Sequence, residues 1–290
     1  MNWPKKQPTC LNAAAKWFKA NLLLTLGQFR ITLVRAGHYY WDGGAVFGVV
    51  PKTMWSRKTP ADALNRVPLA FNCYVIETGR NTVLLETGGG HHFSPASRER
   101  MNLPVLRPLP ELLSHFRIDT VINTHLHWDH CSGNMLDGAP AFPEARYFTS
   151  AAEYEHAHER NVRDSISYID DNYDPLVGSC RMELLEGNTE VVPGITLETA
   201  PGHNRDMMIV KAQSEGETFC LLADLVPTAE HLKPTWIAAF DLYPLTAIET
   251  KLHLLTEAAQ KNWWCGFGHD MRHAFATVAE DFSLKETRPL

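Results

Sequence analysis

The chain has 290 residues, 44% of them hydrophobic, a length that buries roughly three quarters of its unfolded surface without help from disulfides or a structural metal. A formal net charge of −6 with no long basic run excludes a nucleic-acid surface, and no segment reaches the roughly 18 apolar residues that a membrane span needs. Six cysteines at irregular spacings without a CxxC exclude a disulfide framework or zinc ribbon and point to reduced thiols in a cytoplasmic protein.

The first element is the stretch CLNAAAKWFKANLLLTL, residues 10–26. Lys16 and Lys19 interrupt it and no small-x-small cleavage site follows, so it is not read as a signal peptide but as an amphipathic helix. It is expected to lie outside the main fold, as a dimer or lid element. This divides the chain into an N-terminal helical extension, residues 1–28, and one large domain, residues 29–290.

Extended, β-branched runs follow: FRITLVRAG from Phe29, AVFGVVP from Ala45, LAFNCYVIET from Leu69, NTVLLETG from Asn81 and DTVINTH from Asp119. ARYFTS from Ala145, ITLETA from Ile195, MMIVKAQ from Met207, TFCLLAD from Thr218 and WWCGFGH from Trp263 continue the series. ETGRNT and SEGET read as hairpin turns between neighbouring runs. Ser150 followed by Glu153 forms a capping box that opens a helix after ARYFTS. Beyond Pro244, the residues Leu245, Ile248, Leu252, Leu255 and Ala259 step by three and four, predicting a helix with one apolar stripe, and Glu257 with Lys261 adds an i,i+4 pair. Strand pairs, then mixed βα units, then strands with a closing helix and strand fit an α/β (α+β) fold of two sheets packed face to face with helices outside, a four-layer αββα sandwich.

NTHLHWDHCSGN, residues 123–134, ends one of the runs and holds three histidines and an aspartate in six positions. In extended backbone His125 and His127 leave on the same side, and a following loop can turn Asp129 and His130 towards a second point. His203, Asp224 and His269 each close a later apolar run, at the sheet rim where loops gather. His125, His127 and His203 are candidates for one metal and Asp129, His130 and His269 for a second, with Asp224 as a bridge. Imidazole and carboxylate without thiolate suit two Zn2+, although iron, manganese or cobalt accepts the same donors. His38, His115, His156, His158, His253 and His273 are read as solvated or hydrogen-bonded, while His91 and His92 lie on a loop able to approach the site. Cys131 is read as a small buried thiol rather than a ligand.

The HxHxDH motif (His125, His127, Asp129, His130), with distant His203, Asp224 and His269 in that order, resembles the metallo-β-lactamase superfamily from about Arg30 to His273. DGGAVFGVVPKTMW, from Asp42, and ADLVPTAEHLKPTWIAAFDLYP, from Ala223, resemble segments of quorum-quenching lactonases that open N-acyl-homoserine lactones. The resemblance implies a dinuclear hydrolase with a small-molecule substrate; charge and the lack of an apolar span lead to no nucleic-acid or membrane partner being expected, and a homodimer is a further expectation. Two metals sharing a carboxylate can also share a water and bring its pKa from about 15.7 towards 7, giving a bridging hydroxide that attacks the lactone carbonyl. Asp129 is the catalytic candidate, orienting that nucleophile or passing a proton to the leaving oxygen. Trp55, Trp236 and Phe240 are candidates for an acyl-chain pocket.

Two departures stand out. Glu86 occupies a strand end where the superfamily usually has Asp, so its contact with the site is expected to be longer or rearranged. Pro227 occupies the position, three after the bridging aspartate, where the best-known lactonases have a tyrosine on the lactone carbonyl; His231 and Tyr243 are the candidates to replace it. The alternatives are a thioesterase resembling glyoxalase II or another ester hydrolase, a mononuclear iron persulfide dioxygenase, and a catalytically silent metal-binding protein. Only 21 residues follow His269, too few for the helical glutathione-binding region of glyoxalase II.

Overall fold

A computed structural model describes residues 22–91 and 93–290. Its strands are β1 (Leu23–Leu26), β2 (Phe29–Asp42), β3 (Arg66–Glu77), β4 (Thr82–Leu85), β5 (Thr120–Ile122), β6 (Met135–Leu136), β7 (Ala139–Pro140) and β8 (Arg146–Ser150). They continue as β9 (Met182–Leu185), β10 (Thr189–Val192), β11 (Ile195–Thr199), β12 (Met208–Ser214), β13 (Glu217–Leu221), β14 (Trp264–Gly266), β15 (His273–Val278) and β16 (Leu284–Pro289). Among the described residues one sheet runs β1-β2-β3-β4-β5-β8-β9, a second runs β10 to β16 in sequence order, and β6 and β7 form a small ribbon.

The inner faces of the two sheets make the central core. Ile31, Tyr74, Ile76 and Leu85 of the first pack with Leu197, Val210, Leu221 and Phe275 of the second. On the outer face of the first sheet, Val75, Leu84 and Val121 pack beneath Ala157 and Leu176 of the short helices Ala151–His158 and Asp174–Gly178. On the outer face of the second, Ile209, Cys220 and Ala276 pack beneath the helix Pro244–Gln260. This is the expected αββα sandwich. No helix among the described residues is long and apolar enough to cross a membrane.

The sequence expectations need correction at several elements. Leu23–Leu26 is not helical: it pairs antiparallel with β2 and alternates exposed and buried residues, as a strand with one face on the core does. That part of the expected extension belongs to the sandwich, and residues 1–21, which carry the rest of it, lie outside the described residues. The β-branched run AVFGVVP is not a strand, because Asp42 accepts a hydrogen bond from the Ala45 amide and caps a short helix, Gly43–Phe47. Strands β6, β7, β9, β10, β15 and β16 were not expected.

The helix Pro244–Gln260 forms where the spacing places it, but rotated. Its buried residues are Ala247, Lys251, Leu254, Leu255 and Ala258, whereas Leu245 is 76% exposed and Leu252 42%. The reason is close approach: a Cβ on Gly202, whose φ is +145°, would lie 2.5 Å from the Ala247 Cα. Only the narrow alanine side of the helix fits against that backbone, and the Lys251 ammonium goes in with it, donating to the Trp236 carbonyl at 2.7 Å.

The sandwich then gathers its chemistry on one rim. β4 and β5 are parallel, as are β13 and β14, so their carboxyl ends share a direction within each sheet. Glu86, the histidine motif, Asp224 and His269 all follow those ends.

Candidate metal centre

The loop after β5 is built to fold back on itself. The Asn123 amide donates to the Phe148 carbonyl, continuing the strand, and its side chain donates to the His130 carbonyl at 3.2 Å. A helical turn, Trp128–Cys131, starts directly after His127 and turns Asp129 and His130 away from the direction of His125 and His127. Asp224 sits in a tight turn behind Ala223, whose φ of +47° is costly for a residue with a Cβ and typical of functional turns. His269 is held on three sides: its amide donates to the Pro227 carbonyl, its carbonyl accepts from the Ala70 amide, and Nδ1 lies 2.8 Å from the Ala70 carbonyl.

All seven candidate ligands converge. Their donor atoms form three overlapping groups, each within 4.8 Å: His125, His127 and His203; His125, His130 and Asp224; and Asp129, His130 and His269. Asp224 faces both ends, with Oδ1 3.3 Å from His130 Nε2 and 3.1 Å from His269 Nε2, and Oδ2 3.6 Å from His203 Nε2. Ring nitrogens face each other across the gaps, His127 Nδ1 at 3.0 Å from His203 Nε2 and His130 Nε2 at 3.1 Å from His269 Nε2.

These donors fit divalent cations on chemical grounds. His125 Nε2 and His127 Nε2 are buried without a hydrogen-bond partner, a state that buried polar atoms rarely hold. Burial and neighbouring imidazoles keep the pKa of His125 and His127 well below the ordinary histidine value, so both are neutral donors. Burial works against charge on His130, His203 and His269 too, but Asp224, helped by Asp129 or Asp241, outweighs it and raises all three. Burial likewise opposes ionisation of Asp224, yet His269 and His130 hold it well below the usual carboxylate range. Protons on these rings offset the carboxylates, the part that bound cations play when they displace protons from the same lone pairs.

Several surrounding groups carried no motif in the sequence. Tyr39 of β2 donates from its hydroxyl to Asp129 Oδ2 at 2.8 Å; its one signal was the dense aromatic run HYYW. Asp241 accepts from His203 Nδ1 at 2.8 Å, fixing that ring as carboxylates commonly do for metal-binding histidines. Glu153, expected as half of a capping box, uses only its backbone amide for the cap, donating to Ser150 Oγ. Its side chain is buried inside the histidine loops, where desolvation pushes its pKa up to about 7. Glu86 adopts φ +61°, accepts from the Thr124 amide at 3.1 Å and from the Thr124 hydroxyl, and lies 3.7 Å from His130 Nδ1.

The candidate substrate residues divide. Phe240 lines the cavity over the ligands, edge-on to His203 with ring centroids 5.8 Å apart. Trp55 is 2% exposed and stacks on Phe47, and Trp236 packs edge-on against the same ring; both are core, placed there by the Gly43–Phe47 helix where a pocket-lining strand was expected. His231 is also structural: stacked on Phe47, with Nε2 at 2.9 Å from the Val46 carbonyl and Nδ1 at 2.8 Å from Thr228 Oγ1, its pKa pushed down to about 3 chiefly by burial. Tyr243 is 41% exposed and precedes the rotated helix without lining the cavity. Neither His231 nor Tyr243 therefore stands in for the tyrosine missing at Pro227.

The cavity over the ligands is walled by Tyr39, Trp41, Trp128, Ile166 and Phe240. It adjoins a larger one of about 680 Å³ that shares Trp41, Trp128 and Ile166 and continues past Phe93, Met101 and Met135. His91 lines this second cavity, while His92 lies outside the described residues. The five described cysteines are free, and Cys131 donates its thiol to the Leu126 carbonyl at 3.3 Å.

The sequence matches the metallo-beta-lactamase superfamily over residues 67–280. It is 28% identical over 240 residues to the N-acyl homoserine lactonase of Bacillus cereus, covering 74% of this chain and 86% of that protein. It is 26% identical over 234 residues to N-acyl homoserine lactonase AiiA of Bacillus thuringiensis subsp. kurstaki, with the same coverage of 74% and 86%. Among solved structures, a probable metal-dependent hydrolase from Staphylococcus aureus superposes with a TM-score of 0.87 at 26% identity, over 92% of this chain and 99% of that one. The dizinc quorum-quenching lactonase AidC superposes with a TM-score of 0.72 at 17% identity, over 89% and 92%, a likeness of fold. With a family match across most of its length and a histidine-rich centre on the sandwich rim, the chain belongs to the metallo-beta-lactamase superfamily and is a metal-dependent hydrolase.

Proposed function

We propose that this hydrolase opens lactones, N-acyl-homoserine lactones first among them, using two zinc ions. His125, His127 and His203 would hold one cation, Asp129, His130 and His269 the other, and Asp224 would bridge them. The observation that carries the reading is Asp224, whose two oxygens face the two histidine groups, as a carboxylate shared between two cations would. The lactone assignment draws its support from the distant N-acyl homoserine lactonase relatives. A cation pair would supply an activated water and a Lewis acid for the ester carbonyl.

The chain's own residues supply the rest. Asp129 has one oxygen fixed by Tyr39 and the other 4.0 Å from His130 Nε2, at the cavity floor, where it can accept a proton from the nucleophile and return it to the leaving alkoxide. Trp128, Phe240 and Ile166 narrow the approach and exclude water from the reacting carbonyl. The adjoining cavity, with its Trp41, Phe93 and Met101 walls, offers an acyl tail an apolar path away from the ligands.

Metal analysis together with a substrate panel tests the reading. About two zinc per chain and opening of acyl-homoserine lactones are expected. Brisk thioester cleavage without lactone opening would transfer the assignment to a glyoxalase II-like thioesterase, and one iron per chain with oxygen consumption to a persulfide dioxygenase.

A further inference from the structure

Glu153 has no place in the hydrolysis itself, yet its buried carboxylate lies between the two loops that carry three of the histidines. Oε1 accepts from the Leu126 amide at 2.9 Å and from the Tyr168 hydroxyl at 3.0 Å. Oε2 accepts from Asn204 Nδ2 at 2.8 Å, and the same amide also donates to the Tyr168 hydroxyl oxygen at 3.2 Å. Leu126 separates His125 from His127, and Asn204 directly follows His203. Tyr168 adds a second hold on the first loop: it forms an isolated antiparallel bridge with His127, and their rings meet edge to face at 4.7 Å.

We infer that Glu153 is the positioning residue that locks the His125–His127 loop to the His203 loop, so that a cation at those three histidines depends on it while one at Asp129, His130 and His269 does not. The inference rests on the metal-pair reading and not on the substrate. The second group has its own braces, from Tyr39 on Asp129 and from Ala70 and Pro227 on His269, none of which passes through Glu153.

The hydrogen bonds make the dependence directional. Asn204 cannot turn its amide over, because Oδ1 already accepts from the Met207 amide at 2.6 Å and the Asp206 amide at 3.0 Å. In Glu153→Gln the single remaining oxygen can keep Leu126 and Tyr168, but the new amide then meets Asn204 Nδ2 donor to donor. Asn204→Asp cuts the same link from the other side, setting two carboxylates together, and also removes the bond to the Tyr168 hydroxyl. Combining the two substitutions restores the link between positions 153 and 204, with the glutamine donating to the aspartate while the other aspartate oxygen keeps Asp206 and Met207; only the bond to the Tyr168 hydroxyl stays lost.

Zn2+ titration of the metal-free full-length chain against a chromophoric chelator at pH 8 tests this, with circular dichroism to follow the fold. The parent should bind in two steps. Each single variant should weaken one step by about 10- to 100-fold, as loss of an outer hydrogen bond to a metal site does, and leave the other within about twofold; the double variant should recover at least about tenfold of the loss of Asn204→Asp. If Glu153→Gln does not fold, Asn204→Asp carries the same test. Equal weakening of both steps, no weakening, or a double variant no better than the singles would overturn the assignment. A parent that binds fewer than two zinc ions would instead sink the metal-pair reading, whatever the variants do.

Discussion

The hydroxyl of Tyr39 reaches from β2 across the cavity floor to Asp129 Oδ2 at 2.8 Å, while its ring stacks on Phe71 with centroids 4.8 Å apart. This joins a strand of the first sheet to the histidine loop at a candidate ligand that also borders the cavity. Tyr39→Phe keeps the stack and removes only the donor. The expected result is a fall in kcat of about 10- to 100-fold, the range for loss of an outer hydrogen bond to a metal ligand, with KM within about threefold and two metals retained. Steady-state kinetics with elemental analysis checks it. Loss of one metal would show that the hydroxyl serves only to hold the ligand.

Asp224→Ala removes the carboxylate that faces His130, His269 and His203 at once. Metal content and hydrolysis should fall together, with kcat/KM reduced at least about a hundredfold, because both cations lose a ligand. Elemental analysis after desalting and a lactone-opening assay measure the two quantities on one sample. Full metal with full rate would remove Asp224 from the bridging position.

The candidate ligand set was legible because it rests on local facts: His125 and His127 share a strand-end face, and His203, Asp224 and His269 each terminate an apolar run. The order of those runs fitted the sandwich, and the resemblance carried by the histidine motif singled it out among α/β folds. What stayed hidden depends on the third dimension. Tyr39 and Glu153 sit 90 and 27 residues from the partners they serve, and neither carries a spacing that announces it. The aromatic residues misled for a related reason: Trp55 and Phe240 have the same chemistry, and only the capped turn at Asp42 decides that Trp55 faces the Phe47 core. The rotation of the helix Pro244–Gln260 was likewise invisible, since Leu245 and Leu252 make the better apolar stripe and are overruled by the backbone of Gly202.

Met135 lines the larger cavity and is absent from the walls of the one over the ligands. Met135→Trp should therefore shorten the room for an acyl tail without disturbing the reacting end. With about 0.8 kcal/mol for each methylene turned out of an apolar site, kcat/KM for a decanoyl lactone should drop at least about tenfold and that for a butanoyl lactone stay within about twofold. Equal losses on both would place the tail elsewhere.

Lys251 is 1% exposed, and burial lowers its pKa from 10.5 to about 8, with Asp241 pulling the other way; nearby His231 stays neutral under the same burial and the charge of Lys251. Below pH 8 the folded chain holds a charged, poorly solvated ammonium, which destabilises it by about 3 kcal/mol relative to an ordinary lysine. Between pH 8 and 10.5 the unfolded chain binds the extra proton, so this contribution is relieved as pH rises. Lys251→Met removes the titration, at the expense of leaving the Trp236 carbonyl without its donor, about 1–3 kcal/mol at any pH. Urea denaturation of both proteins at pH 7 and pH 11 should show the stability difference moving by up to about 3 kcal/mol in the parent's favour at the higher pH. A difference that does not move would mean that Lys251 keeps the proton affinity of an exposed lysine, and that the rotated helix carries its ammonium into the core without penalty.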